Sequence, residues 1–204
     1  MEKLELRDII LSAVALAIAF AIAFNGGVQN IQTLAVNAVI IAFVAVSLSF
    51  ILHELAHRFL ARRYGCYAEY RMWPHGLALA LLLSLVGFVF AAPGAVMIHP
   101  RADLWGASQA LTRKRMGLIA LAGPLTNLAL AGIFFAALLA NPFQAALLTS
   151  DMFSLAIYVN VWLALFNMIP LFIFDGKKVF DWDKRIWAVN FILILALFIG
   201  TNYL

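Results

Sequence analysis

Phe50-Ile51-Leu52-His53-Glu54-Leu55-Ala56-His57-Arg58 closes an apolar run that opens at Leu34. About 19 largely apolar residues, 34–52, precede His53, and about 20 such residues in a helix span the hydrocarbon core of a bilayer. An acidic or basic side chain at the bilayer centre costs about 2.5 kcal/mol or more. The polar end of this run is therefore expected near one membrane surface and not at mid-depth. On a helix the imidazoles of His53 and His57, four residues apart, share one face a turn apart, which suits two ligands of one zinc ion. Glu54 stands beside the first of them. A carboxylate there can take a proton from a water at the metal and later give it to a leaving amine.

The remainder of the 204-residue chain agrees with a membrane setting. Hydrophobic residues make up 65% and charged residues 12%, against roughly 45–50% and about 25% in soluble domains. The mean hydropathy is +0.98. Too few polar residues are present to cover a water-soluble surface. Apolar runs fall at about 9–24, 34–60, 77–98, 116–140, 152–174 and 186–203. They predict an all-α polytopic membrane protein with five to six transmembrane helices, formed as a single domain over 1–204. The longest polar stretch, 99–115, is about 17 residues and holds no soluble accessory domain.

Residues 1–8 mix Glu2, Glu5 and Asp8 with Lys3 and Arg7, and Asn25-Gly26-Gly27 is a weak cleavage site. The first run is thus expected to be a retained helix and not a signal peptide. Cys66 is the only cysteine, which excludes an intrachain disulfide. The net charge is +4 and the pI is near 9.5. The basic residues lie between apolar runs, so they read as topology signals and not as a nucleic-acid surface.

Those charges orient the chain. Lysines and arginines stand at 3 and 7, at 58, 62, 63 and 71, at 101 and 113–115, and at 177, 178, 184 and 185; stretches 25–33 and 141–151 have none. With the N-terminus and the His53-Glu54-His57 end of the second helix in the cytoplasm, all of them lie inside. The run 77–98 breaks the alternation, because both its ends adjoin basic residues of the same side. It predicts a re-entrant segment: a helix near Leu77–Phe90, a break at Pro93-Gly94 and an extended return through Ala95–Ile98. Backbone of that kind survives at membrane depth only where protein or water satisfies it, so the segment should line a cavity. A sixth full span, against the charge rule, is the alternative.

A catalytic zinc takes three protein ligands, and two histidines leave one place. The charge rule brings Asp175 to a similar depth, since it is expected to close the 152–174 helix at its cytoplasmic end. Pro170 removes a backbone hydrogen bond there, and Gly176 lets the chain turn. His75 and His99 are the other candidates, and both also read as interfacial side chains.

Three motifs in order resemble the site-2 protease family of intramembrane zinc metalloproteases. They are His53-Glu54-Leu55-Ala56-His57, then Ala122-Gly123-Pro124-Leu125-Thr126-Asn127, then Asn167-Met168-Ile169-Pro170 followed by Asp175-Gly176. The resemblance covers about residues 34–180. It implies one zinc per chain held by His53, His57 and Asp175, with Glu54 as the catalytic residue. It places Asn127 and Asn167 near the active site, holding substrate or oxyanion. An amide donor there would stabilise a tetrahedral oxyanion; a hydrogen bond between helices is the plainer role for either asparagine.

The resemblance also implies an extended strand near the site, whose edge can pair with unwound substrate. The partners it implies are single-span transmembrane proteins and membrane lipid, with no nucleic acid. Many relatives have a proline and a leucine before the Asp-Gly pair and a glycine after it, where this chain has Ile173, Phe174 and Lys177. Two other functions compete: a non-proteolytic membrane metal-binding protein, such as a transporter or sensor, and a scaffold. The ionisable residues of the spans gather on one side, which speaks against a transporter. An intact Glu54 speaks against a scaffold.

Overall fold

The computed structural model describes residues 3–33, 36–100, 111–140, 147–171 and 173–201. Seven α-helices and a two-stranded sheet are found among them. The helices are α1 (Lys3–Phe24), α2 (Val36–Arg63), α3 (Pro74–Ser84), α4 (Arg113–Leu139), α5 (Leu147–Asn167), α6 (Asp175–Trp182) and α7 (Lys184–Thr201); the strands are β1 (Cys66–Met72) and β2 (Gly94–Pro100). By length and composition α1, α4, α7 and the Val39–Arg63 part of α2 can each cross a membrane. The apolar part of α5, Met152–Asn167, is shorter. The expected all-α polytopic architecture holds, with a small sheet added.

Helix α5 lies centrally, packed on α2, α4 and α7, while α1 packs on α2, α3 and β1. Leu16, Phe20, Val46, Val159 and Tyr70 are buried where α1, α2, α5 and the sheet meet. Outward-facing side chains such as Phe59, Ile133, Val189 and Ile192 are exposed, as expected of helices solvated by lipid tails.

The re-entrant expectation is met in form and corrected in detail. Pro74 at the first helical position starts α3, because its missing N–H and fixed φ suit a first turn. The helix ends at Ser84 and not near Phe90. The Leu85 carbonyl accepts from Val28 N–H at 2.7 Å, so the tip reaches the end of α1 remote from its N-terminus. The chain then returns without regular structure until Gly94, burying Val89, Ala91 and Ala92. Trp162 Nε1 donates to the Val89 carbonyl at 3.3 Å, and Trp73 N–H to the Pro93 carbonyl at 2.7 Å. Protein groups thus satisfy part of this irregular backbone, as burial in a bilayer requires.

Strand β1 was not anticipated from the sequence. It follows α2 through Gly65, whose φ of 75° is the left-handed conformation that ends many helices. It pairs antiparallel with β2 in the register Cys66↔Pro100 to Met72↔Gly94. Its other edge is capped by α1. Glu5 Oε1 accepts from Tyr70 N–H at 3.2 Å and Asp8 Oδ2 from Met72 N–H at 3.4 Å. Glu5 Oε2 also pairs with Arg58 at 3.0 Å. These contacts bring the N-terminal turn of α1 beside the last turns of α2.

One correction concerns Asp175. It does not close a 152–174 helix; α5 ends at Asn167, and Asp175 opens α6. Pro170 has no N–H to extend the helix and disfavours helical backbone just before it. The connecting loop is held by Trp187 Nε1, which donates to the Met168 carbonyl at 2.9 Å. Arg101 lies outside the described residues.

Candidate metal centre

Helical periodicity alone brings His53 and His57 together, with Nε2 atoms 3.0 Å apart. The third group comes from another element. Asp175, the first residue of α6, places Oδ2 at 2.9 Å from His57 Nε2 and 3.4 Å from His53 Nε2. All three side chains are buried. Tetrahedral zinc, with bonds of about 2.0–2.1 Å, separates its ligand atoms by about 3.3–3.4 Å. The triangle is therefore close to one face of such a site, and two imidazoles with a carboxylate make a known catalytic donor set. This is the only such three-residue cluster among the described residues. His75 and His99 are exposed, and His99 stands opposite Tyr67 in the sheet.

The outer nitrogens of both imidazoles are also committed. His57 Nδ1 donates to the Ile119 carbonyl of α4 at 2.7 Å. His53 Nδ1 lies 2.5 Å from Asn127 Oδ1, and Asn127 Nδ2 donates to Asn160 Oδ1 at 3.0 Å. Asn160 Nδ2 donates in turn to the Ala156 carbonyl at 2.8 Å. That last bond points the Asn160 oxygen towards Asn127, whose own oxygen is then left for His53. Both imidazoles must therefore carry hydrogen on Nδ1, leaving the Nε2 lone pairs free for a metal.

Of the two roles expected for Asn127, hydrogen bonding between helices is the one its geometry makes, and it is fully buried. Asn160 was missed from the sequence. An asparagine within an apolar helix was its only signal.

Gly123 sets how closely α4 approaches. A Cβ built there would overlap Nε2 of both His53 and His57. Glu54, Val96, Asn167, Asp175 and Lys178 line one cavity beside the histidines. Glu54 Oε2 is buried and has no hydrogen-bond partner. An orphaned carboxylate oxygen in a cavity lined by His57 and Asp175 fits a base awaiting a water. Asn167 Nδ2 donates to the Leu163 carbonyl at 3.0 Å, which uses one of its two hydrogens. Lys178 Nζ lies 3.2 Å from Asp175 Oδ1. Burial would raise the Asp175 carboxyl, and the Lys178 ammonium beside it pulls the other way.

The family profile described as Peptidase family M50 matches residues 41–148. The Methanocaldococcus jannaschii protein named "Putative zinc metalloprotease MJ0611" is 40% identical over 186 residues, covering 91% of this chain and 87% of the relative. Rip2 of Mycobacterium tuberculosis, under the same designation, is 30% identical over 175 residues, covering 78% of this chain and 63% of the relative. YwhC of Bacillus subtilis, also so designated, is 28% identical over 158 residues, covering 68% and 66%. No solved structure matches the chain.

Proposed function

Because the chain belongs to peptidase family M50, the site-2 protease family, we propose that this metalloprotease hydrolyses peptide bonds inside the transmembrane segments of single-span membrane proteins. The observation that carries the proposal is the meeting of His53, His57 and Asp175 beside a cavity where Glu54 keeps an unpartnered oxygen. That cavity adjoins the apolar helices and is not an exposed groove on a soluble domain.

His53, His57 and Asp175 would hold one zinc ion per chain. When bound, zinc supplies a Lewis acid for the scissile carbonyl and acidifies the attacking water. Glu54 accepts the proton of that water and later delivers it to the leaving amine. Asn167 turns its second amide hydrogen to the developing oxyanion. Asn127 acts through His53 and not on substrate.

Strand β2 borders the cavity through Gly94, Val96 and Ile98, and β1 is its sole partner among the described residues. Its other edge supports pairing with a substrate segment that has unwound from its helix. The basic ends of α2, α4 and α6 lie on the site's side of the bundle, which supports a cytoplasmic N-terminus and active site.

The test compares Glu54→Gln and Asp175→Ala with wild type, reading zinc content and cleavage of a single-span membrane substrate in detergent. Glu54→Gln is expected to keep its zinc and lose cleavage; Asp175→Ala is expected to lose both. Cleavage by Glu54→Gln at the wild-type rate would overturn the mechanism.

A further inference from the structure

The two lysines that follow the Asp175-Gly176 pair have different partners. Lys177 is turned outward to Asp181, with its Nζ 2.6 Å from Oδ1. Lys178, three residues on from Asp175 along α6, lines the cavity that contains Glu54, His57 and Asn167. Its Nζ lies 3.2 Å from Asp175 Oδ1, while the other oxygen, Oδ2, faces the imidazoles. One carboxylate thus has its two oxygens divided between an ammonium and the metal-facing nitrogens. The Lys178 side chain is one third exposed and also lines the adjoining cavity with Arg113 and Asp181.

That division matters because a carboxylate binds a metal through one oxygen or two. A catalytic zinc with three protein ligands needs its fourth position open for water or substrate. A second oxygen from Asp175 would fill it. The backbone of α6 does little to prevent this, since a small rotation of the side chain brings Oδ1 round. An ammonium hydrogen-bonded to Oδ1 opposes that rotation, and the attraction is strengthened by burial of the carboxylate.

We propose that Lys178 is a positioning residue that holds Asp175 to one-oxygen ligation and so keeps the reactive coordination position open. The inference rests on the zinc site proposed above and goes beyond it, because the three ligands could bind zinc without any lysine.

The test is zinc content, X-ray absorption at the zinc edge and peptidase rate for zinc-loaded wild type, Lys178→Met and Lys178→Arg. All three proteins are expected to hold zinc equally. Lys178→Met is expected to exchange its water ligand for the second Asp175 oxygen, read as the added short zinc–carbon distance of a two-oxygen carboxylate, and to lose activity by about 10-fold to 100-fold. Lys178→Arg, which restores a donor to Oδ1, is expected to recover the wild-type shell and most of the rate. An unchanged shell in Lys178→Met overturns the proposal. So does loss of zinc from that variant, since the lysine would then secure the ligand and not its denticity. Failure of wild type to bind zinc at all would instead sink the metal site itself.

Discussion

At the residue scale, the centre is built from side chains that each have one donor or acceptor left over after their structural bonds are made. His57 is fixed by a backbone carbonyl, and His53 by an amide that is itself fixed by another amide. This ordering predicts an asymmetry between the two histidines. Asn160→Ala leaves a buried Asn127 hydrogen unpaired, a loss of about 1–3 kcal/mol, and frees the Asn127 amide to flip. Zinc affinity, measured by competition with a chelator, is expected to fall by about 10-fold to 100-fold, although Asn160 is not itself a ligand. Unchanged affinity would mean that packing alone holds the His53 ring. The same logic explains why the sequence named Asn127 but not its role: an asparagine in a membrane helix signals a partner without saying which.

At the element scale, the close approach of α4 to α2 decides whether the site exists. Gly123 lies against the two imidazoles, whereas Gly132, nine residues further along α4, has nothing near its would-be Cβ. The two glycines make a paired prediction. Gly123→Ala should reduce zinc content sharply, because the added methyl overlaps both ligand nitrogens. Gly132→Ala should keep full zinc content and raise thermal stability slightly, since alanine is favoured over glycine in a helix interior by about 1 kcal/mol. Equal zinc in both variants would contradict the packing described. The end of α5 is a second case. Its apolar run continues to 174, yet the helix stops at Asn167 because of Pro170, and only this break lets a short helix begin at Asp175 with its carboxylate facing α2.

At the scale of the whole molecule, the groups that make chemistry gather at one end of the bundle. The Glu5–Arg58 pair, the sheet, the cluster of His53, His57 and Asp175 and the start of α4 lie together there. The tip of the re-entrant segment meets Val28 beyond the far end of α1. This polarity predicts sidedness. In a Cys66→Ser background, cysteines placed at Lys3 and Lys184 should react with a membrane-impermeant thiol reagent from the cytoplasmic face. One placed at Val28 should react only from the opposite face. Labelling of Val28 and Lys184 from the same side would overturn the orientation.

The membrane setting, the main spans and the pairing of His53 with His57 are legible in the amino-acid order alone. All three follow from local quantities: the apolar content of a window, the position of charges at its ends, and the 3.6-residue period of a helix. That order also anticipated the extended return through Ala95–Ile98, which is part of β2, but not that the helix before it stops at Ser84. The motif resemblance already names Asp175 beside the two histidines; only the packing of the helices turns Asn127 towards His53, brings in Asn160 and Lys178, and adds β1 with its carboxylate-capped edge. His53 and Asn127 are 74 residues apart in the chain, and Asn127 and Asn160 are 33 apart. Contacts at such separations are set by which helix faces meet, and in a chain this uniformly apolar nearly every face is equally suited to burial.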